Sequence, residues 1–233
     1  MRPPLQLWFN WRLEGVEKVP PEGPLIVAGN HLSYLDPLAH AYFLDRAGRR
    51  ARFLAKQELF DVPLVGAALR GAGHIPVARG SGDPASLEDA RCALDDGEVV
   101  VIYPEGTTRT TSPDFSPGPG RTGVVRLALS TGVPVLPVAT WGGQWVWRTS
   151  GHERPAFGRP IWVVAGDPID VVARAAVTPE SASVRALTDG LMDELARLVT
   201  DVRARYPRRW SPGGPGGSRS ERGRASGSPP TDG

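Results

Sequence analysis

The 233-residue chain has little cysteine, little lysine and no long apolar run. Cys92 is its one cysteine, so no intrachain disulfide can form, which agrees with a reducing compartment. No run approaches the roughly 18 apolar residues that a membrane span needs. Pro3 and Pro4 stand where a secretory leader would carry charge and then a long apolar stretch, so no leader is expected. Lys18 and Lys56 are the only lysines, and arginine supplies the remaining positive charge. A formal net charge of +2 is too small to imply nucleic acid; it mildly favours phosphates, acidic carrier proteins or anionic headgroups. No His, Cys or carboxylate cluster has metal-ligand spacing, so no metal is expected. "GPGRTG" lacks the spacing and the Lys-Ser/Thr ending of a phosphate-binding P-loop.

What is present alternates between two patterns. "LIVAG" (25–29), "RFLA" (52–55), "HIPVA" (74–78), "VVVIY" (99–103), "PVLPVAT" (134–140) and "IWVVAG" (161–166) are short and apolar on both faces, and read as buried strands. Segments 37–47, 62–71, 85–96, 121–131 and 179–205 read as helices. Thr178 and Pro179 supply an N-cap and first-turn pair for the last. The alternation predicts an α/β fold: a single domain with a mostly parallel central sheet flanked by helices. Sites in such sheets form past the carboxyl ends of strands. Residues 207–233 are rich in Gly, Pro, Ser and Arg, and read as a disordered basic tail after a domain spanning 1–206.

"GNHLSYLDP" (29–37) follows the first strand and places His31 and Asp36 five residues apart. Asp36 precedes Pro37, which predicts an N-cap followed by a helix. Five residues of continuous helix would separate the two side chains, so they converge only if the segment between them turns irregularly. A carboxylate that holds one imidazole N–H leaves the other ring nitrogen free to take a proton from a hydroxyl. Alone, H-x4-D also fits a loop histidine beside a helix cap. "IYPEGTTRT" (102–110) adds a buried-strand end carrying Glu105 and Gly106, then donors in Thr107, Thr108 and Arg109. "GHIPVARG" (73–80) ends another strand on Arg79, suited to a phosphate.

Together these stretches resemble the glycerolipid acyltransferase family that includes 1-acyl-glycerol-3-phosphate acyltransferases. "NHLSYLD" is similar to its H-x4-D block, "GHIPVAR" to its G-x-I-x-V-x-R block, "YPEGTTRT" to its F-P-E-G-T-R-S block and "VPVLPVA" (133–139) to its fourth, in that order. The resemblance spans about residues 12 to 205. It implies a glycerolipid acyltransferase-like fold, His31 as general base and Asp36 as its orienter. It implies Arg79 as a ligand of the acceptor's phosphate, with Glu105 and Gly106 at the acceptor site; the Thr107 hydroxyl is a further candidate donor to that phosphate. Tyr103 replaces the usual Phe. Thr108 falls where the third block carries arginine, with Arg109 one place later and favoured on charge. Lys56 matches a cationic position of the family and equally fits a lysine in water; Arg121 is weaker.

The implied reaction moves a fatty acyl group from acyl-CoA or an acyl carrier protein thioester to the free hydroxyl of 1-acyl-glycerol 3-phosphate. It yields phosphatidic acid and needs no other cofactor. The expected partners are this lysophospholipid, the thioester donor and a membrane surface, with no nucleic acid. The expected location is peripheral, on the cytoplasmic face of the cell membrane. "LQLWFNW" (5–11) sets aromatics beside arginines, which suits a membrane interface and equally an ordinary first element. "WGGQWVW" (141–147) fits an acyl tunnel or a core. Two alternatives stand beside this reading. One keeps the chemistry on another acceptor: glycerol 3-phosphate, another lysophospholipid or a glycolipid. The other is a non-enzymatic membrane- or nucleic-acid-binding module.

Overall fold

The most apolar runs become the middle of the sheet. β2 (Leu25–Gly29) and β5 (Val99–Ile102) pair in parallel and are buried along their whole length. Alternation sends Leu25 and Val27 to one face and Ile26 and Ala28 to the other. The computed structural model describes residues 8–78, 84–108, 114–147, 157–177 and 183–211. Within them β1 (Asn10–Glu14), β3 (Ala51–Lys56), β4 (Ile75–Val77), β6 (Val135–Trp141) and β7 (Pro160–Ala165) complete a seven-stranded sheet. Its order is β1-β7-β6-β2-β5-β3-β4. All pairs are parallel except β6–β7.

Helices cover both faces. α1 (Asp36–Arg46) packs Ala39, Phe43 and Leu44 onto the face of Val27 and Val101. After α2 (Gln57–Phe60) and α3 (Val65–Gly71), the long helices take the other face. They are α4 (Pro84–Asp95), α5 (Gly123–Thr131) and α7 (Val184–Arg205). They set Ala90, Val124 and Leu195 against Ile26 and Val100. α6 (Val171–Ala175) links β7 to α7.

Four local expectations change. A strand at Asn10–Glu14 was not predicted, because its residues alternate and it lies on the sheet edge. Within "LQLWFNW", Phe9 is buried and Trp8 is half exposed; residues 5–7 lie outside the described residues. The helix expected over 62–71 starts at Val65, since Pro63 and Leu64 form a tight turn first. Asp36 is not the N-cap; Leu35 holds that position and Asp36 opens the helix. Its carboxylate turns back to the loop before it. Thr178 and Pro179 lie outside the described residues, and the Ser183 hydroxyl caps α7 by accepting from Ala186 N. Of the expected tail, residues 207–211 are described and the Trp210 ring lies under Arg159; residues 212–233 lie outside the described residues.

Candidate active site

β2, β5, β6 and β3 run in one direction, so the loops after them meet at one end of the sheet. The loop after β2 carries His31. Its Nδ1 lies 3.1 Å from Asp36 Oδ2. The irregular turn that this requires is built by the same carboxylate. Oδ2 also accepts from the backbone N–H groups of Leu32 and Ser33, the latter at 2.7 Å. Oδ1 accepts from the hydroxyls of Ser33 (2.8 Å) and Thr140 (3.3 Å). Asn30 ties the turn to β6: its amide donates to the Thr140 carbonyl, and its oxygen accepts from Thr140 N at 2.7 Å. Asp36 is buried, and the His31 side chain is 15% exposed.

The loop after β5 closes on His31 from another side. Glu105 is buried; its Oε1 accepts from His31 N at 3.0 Å and its Oε2 from Gly118 N. The acid that the sequence reading put at the acceptor site therefore holds the backbone of His31. Tyr103 stacks on the His31 ring, centroids 4.2 Å apart and planes 17° from parallel. Gly106 has φ +68°, and a Cβ there would stand 2.7 Å from Arg121 Nε. Only glycine takes that conformation freely and leaves room for this arginine. Arg121 N donates to the Pro104 carbonyl at 2.8 Å, and its exposed side chain lies along the third block. Thr107 is exposed beside it.

Lys56 ends β3 at the same end of the sheet but pairs with Glu58 at 2.8 Å. Arg79 and Arg109 lie outside the described residues. In "WGGQWVW", Trp141 and Trp145 are core residues in edge contact with Phe115, whereas Trp147 is half exposed. Gly143 comes so close to the Asp36 turn that a Cβ would meet Ser33 Oγ at 2.7 Å.

Beneath the pair lies His40, fully buried, with Nδ1 3.0 Å from the Asp36 carbonyl oxygen and 3.1 Å from the Tyr103 hydroxyl. Burial holds its pKa below the usual 6.5, against the pull of the Asp36 charge, and so keeps it neutral. Burial and the same carboxylate push the Tyr103 phenol well above 10, so it stays protonated. Neither role is visible in sequence; the one signal is that His40 follows Asp36 by one helical turn. Among the described residues no group of three or more His, Cys, Asp and Glu is arranged to hold a metal ion.

This arrangement can take a proton from a hydroxyl at His31 Nε2 and stabilise the resulting imidazolium through Asp36. The acyltransferase family profile matches residues 10–141. A chloroplastic 1-acyl-sn-glycerol-3-phosphate acyltransferase of Brassica napus is 34% identical over 167 residues, covering 66% of this chain and 46% of that protein. A Bacillus subtilis enzyme named 1-acyl-sn-glycerol-3-phosphate acyltransferase is 27% identical over 182 residues, covering 78% of this chain and 84% of its own. The chain thus spans about half the length of the plant relative. The crystal structure of the 1-acyl-sn-glycerophosphate acyltransferase PlsC from Thermotoga maritima superposes with a TM-score of 0.64 at 26% identity. It covers 86% of this chain and 75% of that one. With the profile matched over more than half its length, and the dyad standing where the first block puts it, this chain belongs to the acyltransferase family.

Proposed function

We propose that the protein transfers a fatty acyl group from a thioester to the free hydroxyl of 1-acyl-glycerol 3-phosphate, giving phosphatidic acid. The observation that carries this reading is the His31–Asp36 contact, with the carboxylate pinned by the turn it organises. His31 Nε2 removes the hydroxyl proton as the oxygen attacks the thioester carbonyl. The tetrahedral intermediate then collapses, the C–S bond breaks, and the imidazolium returns its proton to the departing thiolate. No nucleophile of the protein is needed, because the thioester is already activated. General-base help supplies roughly 10²- to 10⁴-fold. Positioning of the alcohol supplies the rest, through cations that grip its phosphate. Arg79, Arg109 and Lys56 are assigned that task, with Thr107 and the Gly106 backbone lining the acceptor site. The names of the relatives support this acceptor.

The acceptor and donor chains reside at a bilayer, and the proposed location is peripheral, on the cytoplasmic face. Among the described residues no helix is long and apolar enough to cross a membrane. Exposed large apolar side chains support docking at the catalytic end. Tyr34 follows β2, Leu59, Val62, Leu64 and Val65 follow β3, and Trp147 follows β6. Trp8 and Phe157 precede β1 and β7, which run the other way, and so arrive at the same end. Only Val172 and Val177 of this group of described residues stand at the opposite end. Leu64 is 85% exposed with φ +64°, and Val65 N donates to the Pro63 carbonyl around it. A strained turn that holds a leucine in water suits a residue meant for lipid.

The test is acyl transfer by purified protein, using acyl-CoA and acyl carrier protein donors and a panel of lysolipid and glycerol 3-phosphate acceptors. Phosphatidic acid should form from the lysophosphatidic acceptor and vanish in His31→Ala. Equal turnover in that variant, or no transfer to any acceptor, would refute the proposal.

A further inference from the structure

The His31 ring has two neighbours that the proton transfer does not name. Tyr103 lies flat against it, and His40 holds the far end of Tyr103. The His40 and Tyr103 rings meet edge to face, 5.5 Å apart at 65°. His40 Nδ1 is within hydrogen-bond distance of both the Asp36 carbonyl and the phenol oxygen. This one nitrogen therefore ties the first turn of α1 to the phenol end of Tyr103. The room for this unit comes from Gly29. A Cβ there would stand 2.8 Å from His40 Cε1 and Nε2 and 3.1 Å from Tyr103 Cε1. Three positions far apart in sequence are thus matched to keep one aromatic face beneath one imidazole.

A flat aromatic face is negative at its centre and attracts a cation placed above it. His31 is neutral before the reaction and cationic once it holds the acceptor's proton. The face therefore favours the charged state more than the resting state, which is the condition for accelerating a step rather than tightening binding. We infer that Tyr103 is a positioning residue for His31: its ring, held by His40, supports the imidazolium from the side that Asp36 does not reach. Asp36 meets the ring edge at Nδ1, Tyr103 its face, and Glu105 the backbone N–H of the same residue. The support acts through His31 and touches no substrate. It rests on the acyl-transfer reading only for its effect on rate.

The experiment replaces Tyr103 by phenylalanine and then by phenylalanines with increasing ring fluorination, which keep the shape and weaken the negative face. Tyr103→Leu removes the face. kcat should fall in the order of fluorination, by about three- to thirtyfold at the fully fluorinated ring, with the KM of the acceptor nearly unchanged. Tyr103→Phe should stay within about threefold of wild type, rescuing most of the loss in Tyr103→Leu. In parallel, NMR titration of the His31 ring needs no turnover. The pH at which it takes its second proton should fall in the same order. A titration and a kcat that ignore fluorination would overturn the inference, as would a Tyr103→Phe variant as slow as Tyr103→Leu. If wild type transfers no acyl group, the functional reading fails, and the titration alone upholds or overturns the support by Tyr103.

Discussion

Replacing Asp36 by asparagine removes one charge and leaves the shape of the side chain. The surroundings decide which way the amide turns. On the Oδ2 side stand two backbone N–H groups and His31 Nδ1, all donors. On the Oδ1 side stand the hydroxyls of Ser33 and Thr140, which can rotate and accept instead. The amide nitrogen will take the hydroxyl side, and the turn will survive. Three bonds to a charged acceptor become bonds to a neutral one, a loss of roughly 1 kcal/mol each, so destabilisation should stay near 3 kcal/mol or below. The rate suffers more. A carboxylate 3.1 Å from the imidazolium nitrogen is worth about 5 kcal/mol at an effective dielectric of about 20, close to 10⁴ in rate as a ceiling. We expect kcat to fall by about 10²- to 10⁴-fold while the protein still melts cooperatively. Initial rates and thermal melts on the same preparations check this. A folded Asp36→Asn variant keeping more than a tenth of wild-type kcat would refute the role given to the carboxylate. Asp36→Ala is the poorer probe, since it strands the Leu32 and Ser33 N–H groups as well.

Three further outcomes are expected. His40 is neutral in the fold with its pKa held below 6.5, so its contribution is complete above that pH and shrinks as pH falls below it. The decline is about 1.4 kcal/mol per pH unit until the folded group itself titrates; urea unfolding at about pH 7.5 and 5.5 should show it, and His40→Gln should flatten it. Gly29→Ala should cost about 1–3 kcal/mol by driving a methyl into His40 and Tyr103, whereas Gly190→Ala, in α7 with open space around it, should stabilise by up to about 1 kcal/mol; paired melts compare them. Leu64→Asp should lower partitioning onto phospholipid vesicles by about tenfold or more without lowering the melting temperature, as read by flotation and calorimetry.

The sequence made the sheet legible where burial is two-sided. Leu25–Gly29 was read to the residue, because strands covered on both faces have no polar positions to blur them. β1 was illegible for the opposite reason: Asn10, Arg12 and Glu14 interrupt it, and an edge strand tolerates them. The pairing of His31 with Asp36 was read from the resemblance to the H-x4-D block; the spacing alone fitted a loop histidine beside a helix cap equally well, and Pro37 only allowed the turn that brings the two together. The cause of that turn was not legible, since the prediction gave Asp36 a cap facing forward, and the carboxylate instead organises the residues before it. Glu105 was legible as an oddity at a buried strand end, but its partner, the backbone of His31, lies 74 residues away. The His40–Tyr103 contact spans 63 residues, and no local pattern encodes it.

The reversal at β7 has a practical consequence for anyone handling the protein. Because β1 and β7 oppose the other strands, Trp8 leaves the sheet beside Gly158, and α7 travels back so that Tyr206 bonds the Pro160 carbonyl and Arg159 donates to the Trp210 carbonyl. Trp8 and Trp210 thus both lie at the end of the sheet where His31 stands. A reporter inserted beside Trp8 or Trp210 would therefore stand at the His31 end of the sheet, whereas one near Val172 or Val177 would stand at the other.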